Sequence, residues 1–143
     1  MNVRIKRLCP HATLPAYQTA GAAAFDLAAA EDTTIQPGEV ALVPTGLVIA
    51  VPAGMFLAIF ARSSTPLKRG MMVANGVGVV DPDYAGPADE VKVALVNIRT
   101  TAVTISRGER IAQGIFLSAP RAAWVEVDEL EAPSRGGFGA TGS

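Results

Sequence analysis

The sequence predicts an all-β subunit of the sandwich or barrel type, with at most one short helix. Apolar runs of modest length recur along the chain, and proline or glycine stops each one before a helix could complete several turns. The runs are rich in β-branched and aromatic residues, which favour strands. With 143 residues, half of them hydrophobic, the chain suits one compact domain. We therefore expect one β domain over residues 1–133, followed by a flexible segment over residues 134–143.

The longest run, "EVALVPTGLVIAVPAGMFLAIFA" at residues 39–61, shows this pattern most clearly, with Pro44, Gly46, Pro52 and Gly54 as corners. Further strands are predicted at residues 77–81, 90–98, 102–119 and 124–130. One short helix is expected near residues 64–71, where Pro66 suits a first turn. The alanines of residues 20–30 form segments too short for a stable helix.

Charge and composition exclude several classes of protein. Twelve basic residues nearly cancel thirteen acidic ones, so no overall field favours nucleic acid or an anionic membrane surface. No stretch approaches the length of an apolar membrane span, and the N-terminus does not read as a signal peptide. Cys9 and His11 are the only residues of their types and cannot form an ordinary zinc site or an internal disulfide. We expect a reducing, cytoplasmic compartment.

Five short stretches concentrate polar residues beside glycine. In the first, residues 20–30, Asp26 lies between apolar neighbours, and read alone it is best explained as a strand-end aspartate bonded to backbone amides. The second, "ARSST" at 61–65, places Arg62, Ser63 and Ser64 after an apolar strand. Their donors suit phosphate oxygens, but a helix cap or turn explains them equally well.

The third stretch, "NGVGVVDPDYAG" at 75–86, reads as two turn-rich ends around an apolar hairpin arm. The Asn75 amide can pair with a base edge, Asp81 can act as a general base on water, and Tyr84 can pack against a sugar. Read alone, an ordinary turn is the simpler interpretation.

The remaining two stretches are "RGERIAQGIF" at 107–116 and the C-terminal "SRGGFGATGS". Gln113 stands within a predicted strand, where it can donate to a phosphate or point to solvent. The glycine-rich backbone of the tail can wrap an anion, or it can be a frayed terminus. No P-loop, dinucleotide fingerprint or Ser-His-Asp triad is present.

Taken together and in this order, the five stretches resemble the five motifs of the trimeric dUTPase family over nearly the whole chain. The resemblance implies a jelly-roll-like subunit and a homotrimer whose three active sites are shared between subunits. It implies hydrolysis of dUTP to dUMP and pyrophosphate, which limits uracil incorporation into DNA and supplies dUMP for thymidylate synthesis. Mg²⁺ is expected as the cofactor, held mainly by the triphosphate rather than by a protein metal site.

The resemblance also implies roles for individual residues. The segment from Asn75 through Gly78 to Tyr84 would hold uracil and deoxyribose, with Tyr84 leaving no room for a ribose 2′-hydroxyl. Asp81 would activate the water that attacks the α-phosphorus. Phosphate contacts from other subunits are implied for Arg62, Ser63, Ser64 and Gln113. Asp26 would orient Arg62.

The same resemblance implies that residues 134–143 form a mobile lid that closes over the site. Phe138 would stack on uracil, Arg135 would reach the γ-phosphate, and Gly139 and Thr141 would contact substrate. Closure would exclude water and hold the phosphate chain for in-line attack.

Several positions depart from the usual family pattern. Ala24, Ala61, Ser64 and Ala140 replace residues that are common in the motifs, and Arg135 lies close before Phe138.

The "RSS" and "DP" pairs lean toward a rival activity, that of the dCTP deaminases, which share the fold. That chemistry needs a glutamate where Ala94 aligns, although Glu90 is nearby. A non-catalytic nucleotide sensor is the other rival, and the presence of Asp81 and Phe138 argues against it.

Overall fold

A computed structural model of the chain describes residues 1–134, 136 and 137. Within these residues the chain forms eleven strands: β1 (Arg4–Arg7), β2 (Phe25–Ala28), β3 (Thr33–Ile35), β4 (Val40–Pro44), β5 (Leu47–Ala50), β6 (Met55–Phe60), β7 (Met71–Val73), β8 (Gly78–Val80), β9 (Lys92–Asn97), β10 (Val103–Ile105) and β11 (Arg110–Ser118). The all-β prediction is confirmed.

One helical turn, Thr65–Arg69, lies between β6 and β7, inside the segment predicted to be helical. Pro66 stands in its first turn, where its missing N–H leaves no hydrogen bond unmade. Gly70 ends it in the left-handed conformation, with φ of 61°. Among the residues that the structure describes, no helix is long and apolar enough to cross a membrane.

The strands form a four-stranded sheet in the order β2-β11-β6-β8, a three-stranded sheet in the order β4-β9-β7, and the two pairs β1-β5 and β10-β3. All these pairings are antiparallel. Every sheet contributes fully buried side chains to one core, among them Leu27, Ile35, Leu47, Leu57, Leu95 and Ile105. Two sheets and two flanking pairs around a shared core agree with the jelly-roll expectation.

Gly114 stands at the centre of the four-stranded sheet because no side chain fits there. A Cβ at this position would lie 2.6 Å from Cε2 of Phe25 and 2.9 Å from Cδ1 of Leu57. The space is used by aromatic packing, since the rings of Phe25 and Phe116 lie 5.5 Å apart. The Phe25 and Phe116 rings therefore cover the core face of this sheet at Gly114.

The opposite face of the four-stranded sheet is apolar as well. Directly paired residues share a face, so the register places Phe56 with Leu117, and Ala58 with both Ile115 and Val79. Val79 is 60% exposed and Leu117 39% exposed. At one end this face becomes polar, where Phe60 pairs with Gln113 and Gln113 pairs with Asp26.

The strand predicted at residues 124–130 is wrong. In the described part of the chain no backbone hydrogen bond involves this segment, and Trp124 and Leu130 are 93% and 83% exposed. β-propensity produces a strand only where another strand supplies hydrogen-bond partners, and here none does. Conversely, β1 is a strand that the sequence did not predict. Its residues are all exposed and show no apolar alternation, yet they pair with β5.

Candidate active site

Asp26 joins two arginines at the polar end of the four-stranded sheet. Its Oδ1 lies 2.8 Å from Nε of Arg62, and its Oδ2 lies 3.0 Å from Nη1 of Arg110. The Asp26 side chain is only 12% exposed, a position that a carboxylate tolerates when it is paired with cations. The contact implied between Asp26 and Arg62 is therefore present. The simpler interpretation, an aspartate bonded to backbone amides, is not what the structure shows.

Arg110 enters the site through a β-bulge that sequence reasoning missed. Ala112 pairs with Leu27 but Arg110 pairs with Ala28, so Ile111 is an extra residue in β11. The bulge reverses the alternation of faces, which puts Arg110 and Gln113 on the same outer face. Ile111 and Ala112 are consequently both buried, at 1% and 0% exposure. In the sequence, the two adjacent apolar residues Ile111 and Ala112 interrupt the alternation of the strand, and this interruption could have indicated the bulge.

The segment after β6 is a tight turn around Arg62. The Arg62 amide donates to Oγ1 of Thr65 at 3.2 Å, the Thr65 amide donates back to the Arg62 carbonyl at 2.9 Å, and Nη1 of Arg62 donates to the Arg110 carbonyl at 3.1 Å. Ser64 occupies the N-cap position of the helical turn, but its side chain makes no capping hydrogen bond. The Ser64 hydroxyl therefore does not take part in capping the helical turn.

A cavity of about 340 Å³ opens beside this turn. Its lining includes Arg62, Ser64, Lys68, Arg69, Glu109 and Arg110. Arg69 is paired with Glu109, with Nε 2.7 Å from Oε1. Cationic and hydroxyl donors around one concave surface suit phosphate oxygens. Gln113 borders the same end of the sheet, and its Nε2 donates to the Ala61 carbonyl at 2.9 Å.

The segment from Asn75 to Tyr84 was predicted as a hairpin, but it contains one strand, β8, whose partner lies outside the segment. β7 pairs with β9, whereas β8 pairs with β6. Asn75 lies in the exposed turn that crosses between the sheets, followed by Gly76 with φ of 72°. Gly78 lies against β6, where a Cβ would stand 3.1 Å from Cβ of Ile59. Sequence periodicity revealed the strand but not its partner.

Asp81 and Tyr84 lie together just beyond β8. The Tyr84 amide donates to the Asp81 carbonyl at 3.2 Å, so the two residues begin and end one turn. Both side chains are exposed and line a cavity of about 290 Å³ with Val79, Glu90 and Lys92. Asp81 also borders a wider cavity of about 1010 Å³, whose lining includes Asp83 and Arg121.

The two groups of residues are separated within one chain. β8 runs antiparallel to β6 with Val80 opposite Leu57, so Asp81 lies one position further, level with Phe56. Gln113 is opposite Phe60, four residues along β6, a separation of about 13 Å at the rise of a strand. Arg62 is two residues further still. A single chain thus holds Asp81 and Tyr84 at one end of the sheet, and Asp26, Arg62, Arg110 and Gln113 at the other.

The positions assigned to the lid, Arg135, Phe138, Gly139 and Thr141, lie outside the described residues. Among residues 1–134, 136 and 137, no three His, Cys, Asp or Glu side chains come together as a metal-binding group.

Comparison with known proteins gives a consistent family assignment. A family model described as dUTPase matches residues 10–142. The deoxyuridine 5'-triphosphate nucleotidohydrolase of Wolinella succinogenes is 45% identical over 144 residues, covering 99% of this chain and 95% of that protein. The enzyme of the same name from Methylocella silvestris is 47% identical over 152 residues, covering 100% and 92%.

Solved structures give the same assignment. The dUTPase of Streptococcus mutans is 33% identical with a TM-score of 0.78, over 87% of this chain and 100% of that one. A Staphylococcus bacteriophage 80alpha dUTPase mutant with dUpNHpp shares the fold at a TM-score of 0.88, with 21% identity over 99% of both chains. The motifs, the fold and these relatives lead to one conclusion: the chain belongs to the dUTPase family.

Proposed function

We propose that this chain hydrolyses dUTP to dUMP and pyrophosphate through a water molecule activated by Asp81. Membership in the dUTPase family makes the chain a dUTP diphosphatase, and the mechanism is our inference from the site. The observation that carries it is the presence of two complementary half-sites. One holds an exposed carboxylate beside a tyrosine, and the other holds hydroxyl groups and paired arginines that suit phosphates.

The first half-site would bind the nucleoside. Asn75 and the backbone around Gly78 would contact uracil, and the Tyr84 ring would pack under the deoxyribose. Asp81 is exposed and lines this cavity, where it would activate a water molecule in line with the α-phosphorus. The proton of that water would pass to Asp81, and pyrophosphate would leave.

The second half-site would bind the triphosphate. Arg62, Ser63, Ser64 and Gln113 would contact the phosphate oxygens, and Asp26 would hold Arg62 and Arg110 in fixed positions through its two carboxylate oxygens. Donors held in place before the reaction stabilise the developing charge without reorganising. We add Arg110 to these proposed phosphate-binding residues, because it is paired with Asp26 beside Arg62.

Mg²⁺ suits this arrangement as an ion bound chiefly by the nucleotide. Asp26 is committed to two arginines, so its oxygens are already paired. Magnesium commonly binds substrate phosphates and keeps several waters rather than occupying a protein cage. When bound, the ion would neutralise phosphate charge and fix the shape of the triphosphate chain.

A homotrimer would unite the half-sites. The outer face of the four-stranded sheet is apolar around Ile115 and Leu117, and it ends in the cluster of Asp26, Arg62 and Gln113. A second copy packed along this face would cover apolar surface and bring its own Asp81 to the phosphate donors. We infer three shared sites per trimer. Residues 134–143 would act as the lid, with residues 1–133 as the β domain, in the cytoplasm.

The test is to incubate the protein and its Asp81→Asn variant with Mg²⁺ and, separately, dUTP, dCTP, dTTP and UTP, and to identify products by chromatography. We expect dUMP and pyrophosphate from dUTP alone. The variant should lose at least about 100-fold in kcat while still binding a non-hydrolysable dUTP analogue. Deoxyuridine products from dCTP, or binding without turnover, would overturn the proposal in favour of a deaminase or a sensor.

The structure gives the deaminase little support. Ala94 is a small apolar residue within β9, and the Glu90 carboxylate already accepts a hydrogen bond from the Gly46 amide at 2.8 Å. That carboxylate is engaged in the fold rather than free to act on a substrate.

A further inference from the structure

Tyr84 is held by a hydrogen bond to the backbone of Glu90. Its Oη donates to the Glu90 carbonyl at 3.1 Å, which closes the loop between the two residues. Tyr84 is 43% exposed, so this bond and the Asp81 turn fix the direction in which its ring faces the cavity. The position of the ring therefore depends on where the Glu90 carbonyl lies.

The Glu90 side chain anchors that carbonyl to a distant part of the fold. Oε1 accepts from the Gly46 amide at 2.8 Å across 44 residues of sequence, and Oε2 lies 3.7 Å from Nζ of Lys92. The Glu90 side chain is 19% exposed, so water competes only partly for these partners.

The donor to Glu90 is the amide of a closely packed glycine, Gly46. Its φ is 68°, and a Cβ there would lie 2.8 Å from Cβ of Ala12 and 3.0 Å from Sγ of Cys9. Glycine is therefore required at this position, because packed atoms occupy the space that a side chain would need. The neighbouring Thr45 hydroxyl, fully buried, donates to the Val91 carbonyl at 2.6 Å. The Val91 amide, in the same peptide group as the Glu90 carbonyl, donates to the Leu47 carbonyl at 2.8 Å, so backbone pairing and the Glu90 side chain together hold this end of the loop.

We propose that Glu90 is a positioning residue for sugar specificity, which fixes the Tyr84 ring through its own backbone and so maintains discrimination between dUTP and UTP. This inference rests on the proposed function, in which Tyr84 packs under the deoxyribose. Glu90 would touch neither substrate nor the reacting atoms. Its carboxylate acts through the Gly46 amide, and its carbonyl acts on the tyrosine hydroxyl.

The experiment compares kcat and KM for dUTP and UTP in the wild type, Glu90→Ala, Glu90→Gln, Tyr84→Phe and the Tyr84→Phe/Glu90→Ala double variant. Glu90→Ala should lower the ratio of kcat/KM for dUTP to that for UTP by about tenfold, because a displaced ring rejects the 2′-hydroxyl less well. KM for dUTP should change more than kcat. Glu90→Gln keeps an oxygen for the Gly46 amide and should restore the ratio.

The double variant should lose no more discrimination than the more affected single variant, since both substitutions break one chain of contacts. Thr45→Val is the matched structural control: it removes a hydrogen bond from the same junction and should lower Tm without changing the ratio. An unchanged ratio in Glu90→Ala, multiplied losses in the double variant, or equal losses in Thr45→Val would overturn the inference.

Hydrogen exchange separates this inference from the proposed function. Amides of residues 84–90 should exchange faster in Glu90→Ala than in the wild type and Glu90→Gln, whether or not the protein turns over dUTP. Unchanged exchange would overturn the positioning role. Faster exchange in a protein whose wild type hydrolyses no dUTP would contradict the proposed function instead.

Discussion

Asp81 and Gln113 flank β6 from opposite sides and stand four residues apart along it, about 13 Å at the rise of a strand. One lies beside the nucleoside half-site and the other beside the phosphate half-site. A hydrogen bond spans about 3 Å, so Asp81 and Gln113 of the same chain cannot both contact adjacent atoms of one substrate molecule. This separation supports the proposal that one site takes its residues from more than one chain.

Mixed assemblies should regain activity that their parents lack. Asp81→Asn and Arg62→Ala are each expected to be inactive, but unfolding and refolding them together in equal amounts should give about a quarter of wild-type activity, because one site in four then combines intact halves. The measurement is dUTP turnover after co-refolding, with each variant refolded alone as control. No recovery from correctly assembled mixtures would mean that the half-sites do not come from different chains.

A charge on the apolar sheet face should prevent assembly. Ile115→Glu places a carboxylate among Ala58 and its neighbours, so we expect a monomer by light scattering and little turnover. Val40→Glu is the matched control, since Val40 is 58% exposed on the other sheet. Should Ile115→Glu remain trimeric while Val40→Glu dissociates, the interface has been placed on the wrong sheet.

Asp26→Asn should weaken phosphate binding without unfolding the chain. Asparagine keeps the size of the side chain but removes the charge that holds Arg62 and Arg110, and misplaced donors cost about 100-fold in kcat/KM. Asp32→Asn is the control, because Asp32 accepts a hydrogen bond from the Arg107 amide at 2.7 Å, which asparagine can also do. If Asp26→Asn and Asp32→Asn had equal kcat/KM values, Asp26 would have no role in phosphate binding.

Gly114→Ala should destabilise the protein. The new methyl group would meet the Phe25 ring at 2.6 Å, and overpacking of this kind costs about 1–3 kcal/mol. Thermal unfolding should show a lower Tm than the wild type. Gly21→Ala, where no atom lies within 4 Å of the added Cβ, should leave Tm unchanged. A drop in both variants would point to backbone effects rather than to the clash.

Deleting residues 134–143 should cost turnover far more than stability. The last strand of the described chain ends at Ser118, and Ser134 is exposed. We expect kcat for dUTP to fall at least tenfold, as lids can control such steps, with Tm nearly unchanged. Early melting combined with normal turnover would contradict the lid.

The sequence alone determined the fold class and supplied the candidate residues for the proposed chemistry. Short β-branched runs between Pro and Gly predicted strands because backbone geometry and side-chain packing act locally. Pro66 predicted the helical turn for the same reason, since its fixed φ suits a first turn. The order of the motifs identified the family, and with it Asp26 as the partner of Arg62.

Pairing and register were decided by the tertiary structure. A strand's neighbours depend on the whole chain, which is why β8 pairs with β6 rather than β7, and why residues 124–130 form no strand although their propensity is high. The bulge at Ile111 is decided by the same packing: two buried apolar residues in succession force Arg110 to the outer face beside Asp26. Local physics selected the elements, while competition for core space and hydrogen-bond partners placed them.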